Sequence, residues 1–199
     1  MAATASPNGL RAVNLIGGLP YAGSTRSFPI TPAGYASNIF NGFVVKIHTD
    51  GYINVVTEVG GTGTGFPAGT IGVFVGCSYT NSMGQTVYGQ YYPSGALNGI
   101  AYVVDDDRAV FQVQADGAVG QTSLGQNVLL ANAQSSSTGS TATGNSNVAV
   151  SSTAQAGTAA FRIVGFVDST TSTVGDAKTD LLVKFNIGQH SYTNATGVA

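Results

Sequence analysis

Residues 43–56 read Phe43-Val44-Val45-Lys46-Ile47-His48-Thr49-Asp50-Gly51-Tyr52-Ile53-Asn54-Val55-Val56, with an apolar run on each side of Asp50-Gly51. The pair Asp-Gly is common in tight hairpin turns because these turns need residues with positive φ. We therefore expect residues 43–47 and 52–56 to form the two strands of a β-hairpin. The same reasoning predicts a second hairpin, in which residues 110–114 and 118–122 flank Asp116-Gly117.

Short strands are predicted along the rest of the chain as well. Twenty-eight glycines among 199 residues interrupt the sequence too often for long helices, and the runs between them are rich in Val, Ile, Phe and Tyr. Further strands are predicted at residues 71–79, 86–92, 99–104, 127–130, 148–151, 160–167 and 181–187. About ten short strands separated by turn signals indicate an all-β fold, either a single β-barrel or a β-sandwich.

Two apolar patterns predict positions within the sheets. In Leu181-Leu182-Val183-Lys184-Phe185-Asn186-Ile187 the odd-numbered residues are apolar, whereas Lys184 and Asn186 point the other way. Such alternation is typical of a strand with one covered face and one wet face. Residues 72–77 and 162–167 are denser in apolar groups, which predicts central strands.

Proline and low-complexity composition suggest the limits of the domain. Four of the six prolines lie in residues 1–42, and proline donates no hydrogen bond to a strand ladder, so this segment is predicted to be an extended N-terminal arm. Residues 43–190 form the predicted β domain. Within it, the polar tract 134–147 is predicted to be a flexible loop because it consists of Ser, Thr, Gly, Asn, Gln and Ala. Residues 191–199 are predicted to be a C-terminal tail.

Charge is scarce in this chain. Charged residues make up 8% of it and the net charge is −2, whereas about 25% is typical of soluble domains. A surface of uncharged polar groups loses less hydration and side-chain freedom when it is buried, which suits contact with other protein. The seven Lys and Arg residues are scattered along the sequence, and this argues against a nucleic-acid partner.

The sequence also argues against a membrane partner. The first nine residues lack the basic and apolar regions of a signal peptide, and no stretch approaches the roughly 20 apolar residues of a membrane span. The protein is therefore expected to be made in a cytoplasm.

No residue pattern predicts catalysis, a metal or a cofactor. Asp105-Asp106-Asp107 lacks the alternating spacing of a calcium loop, so it is predicted to be a solvated turn with Arg108 as partial counter-ion. The sequence has no Gly-x-Ser-x-Gly motif to supply a serine nucleophile for His48 or His190. Cys77, the single cysteine, lies in an apolar run that predicts a buried thiol. The chain is therefore predicted not to be an enzyme.

Two further motifs allow more than one interpretation. The glycine-rich run at residues 60–65 lacks the Gly-Lys-Ser/Thr ending of a phosphate loop and is predicted to be a flexible loop. The tyrosines Tyr88, Tyr91 and Tyr92 could stack on sugar rings, but tyrosines at such positions are more often half-buried sheet residues or interface anchors. We assign them to an oligomer interface.

The sequence resembles a group of podophage structural proteins, starting with Asn8-Gly9-Leu10-Arg11-Ala12-Val13-Asn14-Leu15-Ile16-Gly17-Gly18. The resemblance continues in five motifs: Asn38-Ile39-Phe40-Asn41-Gly42, residues 72–79, Gln90-Tyr91-Tyr92-Pro93, residues 111–117 and residues 162–168. It implies a capsid decoration, or cement, protein of a tailed bacteriophage. Such a protein lies on the outside of the icosahedral head of the virion and clamps neighbouring major capsid protein subunits. Proteins of this kind are often homotrimers, with dimers as an alternative.

The resemblance leads to specific expectations for the arm. Residues 1–42 are expected to reach across the capsid surface, and deletion of residues 2–18 is expected to abolish head binding while leaving the β domain folded. Arg11 and Arg26 are expected to pair with acidic capsid groups. Four apolar residues are expected to fill niches on the capsid, namely Leu10, Val13, Leu15 and Ile16. The alternatives are a tail-associated adhesin or carbohydrate-binding module and, more distantly, a β-fold hydrolase.

Overall fold

The computed structural model describes residues 5–61 and 65–198. Within these residues the chain forms eleven β-strands and one 3₁₀ turn, at Gln121–Ser123. The strands are β1 (Arg11–Leu15), β2 (Arg26–Pro29), β3 (Val44–Ile47), β4 (Ile53–Val55), β5 (Thr70–Thr80), β6 (Thr86–Gly89), β7 (Leu97–Val104), β8 (Ala109–Gln114), β9 (Asn127–Val128), β10 (Phe161–Phe166) and β11 (Asp180–Phe185).

The strands form two antiparallel sheets that share one core. The first sheet has the order β1-β8-β11-β10-β9, and the second has the order β2-β7-β5-β3-β4, with β6 also paired to β5. Buried side chains from both sheets, such as Phe111 and Phe161 from the first and Val45 and Phe74 from the second, belong to a single cluster. The all-β prediction is confirmed, and of the two predicted architectures the chain adopts the β-sandwich.

The hairpin predicted at residues 43–56 is confirmed. Strands β3 and β4 pair antiparallel, with Val45 opposite Val55. Gly51 takes the positive φ, at 80°, and its backbone N–H donates to the His48 carbonyl at 2.8 Å. Asp50 contributes differently, because its Oδ1 accepts a hydrogen bond from the Tyr52 N–H at 3.0 Å.

The second predicted hairpin is wrong. Strand β8 covers residues 109–114 as expected, but residues 118–120 are irregular and the 3₁₀ turn follows them. The cause is competition for the edges of β8, which already pairs with β1 on one side and with β11 on the other. A strand at residues 118–122 would therefore find no free edge of β8 to pair with.

Several other predicted strands are shorter than expected or absent. Strand β6 ends at Gly89, although the prediction extended to residue 92. Strand β9 covers only Asn127–Val128. Residues 148–151 form no strand, although Val150 makes isolated bridges to Ala115 and Leu130. The alternation predicted for residues 181–187 holds as far as Phe185, where β11 ends; beyond it Asn186 is 9% exposed and Ile187 is 81% exposed.

The described part of the N-terminal segment is built into the sandwich. Strand β1 forms one edge of the first sheet by pairing with β8, and β2 forms one edge of the second sheet by pairing with β7. Leu10 and Ile30 are buried in the shared core. Strands β1 and β2 thus occupy sheet edges, where proline is tolerated.

The polar tract 134–147 also packs onto the domain. It contains no strand, yet its Gln134 and Ser146 side chains are buried. The Asn41 backbone bonds to it on both sides, since Asn41 N–H donates to the Gly144 carbonyl at 3.0 Å and Ser146 N–H donates to the Asn41 carbonyl at 2.9 Å. Buried side chains and backbone hydrogen bonds therefore hold the tract against the domain. Of the predicted glycine-rich loop, residues 62–64 lie outside the described residues.

Candidate protein-binding surface

The first strand continues into a tight turn that we call the N-terminal hairpin, residues 11–20. The backbone N–H of Leu15 donates to the Leu19 carbonyl at 2.8 Å, and Asn14 bridges to Pro20. Gly17 and Gly18 make the turn with φ values of 97° and 83°, in the left-handed region that side chains with a Cβ disfavour. The two adjacent glycines thus explain why the chain reverses here.

Three aliphatic side chains of the N-terminal hairpin face solvent. The exposed fractions are 40% for Val13, 38% for Ile16 and 56% for Leu19. On β1 the register with β8 shifts between Ala12 and Asn14, which leaves Val13 without an opposite residue. We call Val13, Ile16 and Leu19 the aliphatic patch.

Arg11 lies on the same strand and is exposed. It lines two hollows of the surface, of about 360 Å³ and about 230 Å³. The larger hollow is also lined by Asp180. The other residues that line the smaller hollow all carry a side-chain amide, namely Asn8, Asn41, Gln90 and Asn145. Within the described part of the chain, the Arg11 guanidinium makes no hydrogen bond or ion pair.

Arg26, the second arginine predicted to contact the capsid, forms an ion pair within the chain. Its Nη1 lies 2.8 Å from Asp105 Oδ2, and the Tyr192 hydroxyl donates to the same oxygen at 2.8 Å. Partial burial, followed by the hydrogen bond to Asp105, raises the pKa of Tyr192, and the nearby Arg26 opposes this shift. Arg26 and not Arg108 is therefore the counter-ion of Asp105.

The remaining predicted capsid-binding residues differ in exposure. Leu15 is half-buried and packs against the core. Leu10 is 0% exposed, and its backbone N–H donates to the Gly42 carbonyl at 3.1 Å. The expectation that Leu10 fills a niche on another protein needs correction, because its side chain is part of this chain's own core.

The three predicted interface tyrosines occupy different environments. Tyr88 on β6 is 75% exposed, whereas Tyr92 is 0% exposed and its hydroxyl donates to the Ala96 carbonyl. Tyr91 is half-buried and stacks on Phe40 with ring centroids 5.6 Å apart. Tyr92 therefore supports the fold from within, and Tyr88 is the member of the group that presents its ring to solvent.

The acidic residues 105–107 and the two histidines make contacts within the chain. Asp106 Oδ1 accepts a hydrogen bond from the Arg108 N–H at 2.8 Å, as expected of a turn. His48 is exposed beside Asp50, and His190 is 1% exposed between the rings of Phe185 and Tyr192. Across residues 5–61 and 65–198, no group of three or more His, Cys, Asp or Glu side chains is placed to hold a metal ion.

Comparison with known proteins gave no relatives. No protein-family model matches the chain, and neither a curated protein nor a solved structure matches it. In the part of the chain that the structure describes, no helix is long and apolar enough to cross a membrane.

Sequence reasoning found part of this surface. Val13, Ile16 and Arg11 were predicted as contact residues and are exposed, whereas Leu19 was missed. The pair Gly17-Gly18 is the signal that would have found it, because a turn there returns the chain alongside β1. The amide side chains around Arg11 come from separate parts of the chain, and no local signal connects them.

Proposed function

We propose that this chain is a structural virion protein that binds the outer surface of a phage capsid and stabilises contacts between major capsid protein subunits. The observation that carries the proposal is the aliphatic patch, Val13, Ile16 and Leu19, which is exposed on the N-terminal hairpin. Val13 and Ile16 also lie within residues 8–18, and the resemblance of that stretch to podophage structural proteins supports the proposal. The proposed place is the exterior of the head, after synthesis in the host cytoplasm.

Burial of the aliphatic patch would favour binding. Complete burial of an exposed Val, Leu or Ile side chain contributes about 1.5–3 kcal/mol. Each residue of the patch is already partly covered, so about 1 kcal/mol per side chain is a reasonable expectation. Such a modest contact suits a protein present in many copies, because an oligomer that engages several capsid subunits gains avidity from multivalency. We propose a homotrimer, with a dimer as the alternative.

The second sheet offers a surface for contact between copies. No charged residue occurs between Glu58 and Asp105, a range that contains β5, β6 and β7. Tyr88 and Met83 are 75% and 82% exposed on and beside β6. Aromatic residues and methionine are enriched and charges depleted in the centres of protein interfaces.

The proposal is tested by binding to heads that lack the protein. Val13→Ser, Ile16→Ser and Leu19→Ser should each weaken head binding about fivefold, the equivalent of about 1 kcal/mol. Leu124→Ser is the matched control, because Leu124 is 47% exposed in a different part of the molecule. The copy number in purified virions is the second measurement, and hundreds of copies are expected. A handful of copies, or no binding of the unaltered protein to heads, would refute the capsid role.

Single replacements are preferable to the deletion of residues 2–18. The deletion removes Leu10 from the core and strand β1 from the edge of β8. Loss of binding would then have two explanations, a missing contact or a damaged fold.

A second candidate function is a tail-associated adhesin or carbohydrate-binding module. The exposed ring of Tyr88 favours it, because aromatic faces stack on sugar rings. Glycan-array binding that is lost in Tyr88→Ala, together with location of the protein at the tail in electron micrographs, would support this candidate over the first.

A further inference from the structure

Arg11 differs from the other arginines in that its side chain has no hydrogen-bond or ion-pair partner within residues 5–61 and 65–198. Every other arginine uses its guanidinium within the molecule: Arg26 with Asp105 at 2.8 Å, Arg108 with the Ile16 carbonyl at 3.4 Å, and Arg162 with Asn127 Oδ1 at 3.2 Å. A guanidinium carries five N–H donors in a fixed planar fork. Those of Arg11 find no acceptor among the described residues.

The smaller hollow beside Arg11, which we call the amide hollow, has further free donors. Its lining consists of Asn8, Arg11, Asn41, Gln90 and Asn145, and its volume is about 230 Å³. The side-chain amides of Asn41, Gln90 and Asn145 make no hydrogen bond to any described part of the chain. Asn8 is engaged by its own turn, since its Nδ2 donates to the Ser6 carbonyl at 3.2 Å.

The walls of the amide hollow are fixed by the backbone. Asn41 and Asn145 bridge as parallel neighbours, held by the hydrogen bonds of the Asn41 backbone to Gly144 and Ser146. Gly144 has a φ of 74°, and a Cβ there would lie 2.9 Å from the Gln90 Cβ. The close approach of Gln90 to this glycine brings the third amide to the rim.

The charges around Arg11 favour an acidic ligand in the amide hollow over one in the larger hollow. The larger hollow is lined by Asp180, whose negative charge would disfavour an anion. Among the described residues, the lining of the amide hollow includes one arginine and no acidic residue. Arg binds carboxylates in a bidentate manner, and charge-assisted hydrogen bonds are about twice as strong as neutral ones.

We propose that the amide hollow binds a carboxylate side chain, Asp or Glu, of the protein partner, with Arg11 as the bidentate donor and Asn41, Gln90 and Asn145 as additional amide donors. This inference rests on the proposed function, in which the partner is the major capsid protein. Arg11 and Val13 are two residues apart on one edge strand. A partner that covers this edge strand would therefore meet both the amide hollow and the start of the aliphatic patch.

Binding to heads that lack the protein tests the inference. Arg11→Gln should weaken binding about 10- to 100-fold, the range expected for hydrogen bonds to a charged group. Arg11→Lys should give an intermediate loss, because the charge remains but the planar fork is gone. Asn41→Asp should also weaken binding, since a carboxylate built into the hollow would occupy Arg11.

Two control variants separate a local effect from a change in net charge. Lys184→Gln removes one positive charge from β11, two strands away from β1 in the same sheet, and Gln121→Glu adds one negative charge on the exposed 3₁₀ turn. Both should bind within about twofold of the unaltered protein. All variants should melt close to the unaltered protein by circular dichroism. If the unaltered protein binds heads and Arg11→Gln binds equally well, the carboxylate contact is refuted while the capsid role stands.

A titration without heads tests the hollow independently of the capsid role. Acetate or N-acetylglutamate should shift the NMR resonance of the Arg11 side-chain Nε–H, and the shift should be absent when Asn41→Asp is titrated. A neutral sugar should leave the resonance unchanged. A response to the sugar and not to acetate would overturn the assignment and favour carbohydrate binding.

Discussion

The side chain of Gln134 and the backbone of Val44 are joined by two hydrogen bonds. Gln134 Oε1 accepts from the Val44 N–H at 2.7 Å, and Nε2 donates to the Val44 carbonyl at 3.0 Å. The same Nε2 also donates to the Val56 carbonyl at 2.6 Å, and Gln134 is 1% exposed. One side-chain amide thus acts as a neighbouring strand would at the start of β3.

Replacement of Gln134 by leucine should destabilise the fold strongly. Leucine has a similar volume, so little cavity forms, but the buried N–H of Val44 loses its acceptor. An unsatisfied buried group costs about 1–3 kcal/mol, and we expect about 3 kcal/mol in the free energy of unfolding, measured by urea denaturation. Thr141→Ala, at an exposed position of the same tract, should change it by less than about 0.5 kcal/mol. Equal effects of the two variants would contradict this role of Gln134.

Composition could not predict the role of Gln134. The tract 134–147 is polar and of low complexity, and these properties are typical of a flexible loop. The partner of Gln134 is 90 residues away in sequence, so no local pattern indicates that its amide is buried. The low-complexity signal describes the tract's lack of strands and says nothing about where it packs.

The strands were predictable where their pairing is local. The hairpin around Gly51 needs only its own turn and two apolar runs, and it forms as predicted. Residues 118–122 carry an equally good local signal beside Asp116-Gly117, but the edges of β8 are taken by β1 and β11. Which strands compete for an edge is a property of the whole fold.

The candidate surface was predictable only in part, because its residues come from separate parts of the chain. The sequence resemblance proposed Val13 and Ile16, which are exposed, but it also proposed Leu10, which is buried in the core. The amide hollow joins Asn8, Asn41, Gln90 and Asn145, which come together only through tertiary contacts.

Replacement of Gly42 by alanine should be far more costly than the same change at Gly51. Both glycines have positive φ, at 91° and 80°. A Cβ on Gly42 would lie 2.9 Å from the Gly9 Cα, whereas a Cβ on Gly51 would have no atom within 4 Å. We expect about 1 kcal/mol for Gly51→Ala, from backbone strain alone, and at least about 3 kcal/mol for Gly42→Ala. Thermal and urea unfolding measure both, and equal losses would show that the backbone contact of Gly42 and Gly9 relaxes freely.

Ionisation of Cys77 should destabilise the protein at alkaline pH. Burial raises the pKa of the Cys77 thiol from 9.0 to about 12. Between these values the unfolded chain releases a proton that the folded chain keeps, so the free energy of unfolding falls as pH rises, by about 2 kcal/mol at pH 10.5. Cys77→Ala should show a correspondingly smaller loss between about pH 8 and about pH 10.5. The tyrosines titrate in both proteins, so the difference between the two curves reports the thiol, and parallel curves would contradict the prediction.

Protonation of His190 should destabilise the protein at acidic pH. Burial lowers the pKa of His190 below 6.5, while the backbone of Ile71 and the carboxylates of residues 105–107 oppose this shift. As pH falls through 6.5 the unfolded chain binds a proton that the folded chain does not, so the free energy of unfolding decreases with falling pH. His190→Gln should weaken this decrease between about pH 7.5 and about pH 5, a window above the ordinary pKa of carboxylates. His48→Gln, which removes the other, exposed histidine, should retain the slope of the unaltered protein in urea titrations. Retention of that slope in His190→Gln as well would show that the buried ring does not govern the acid response.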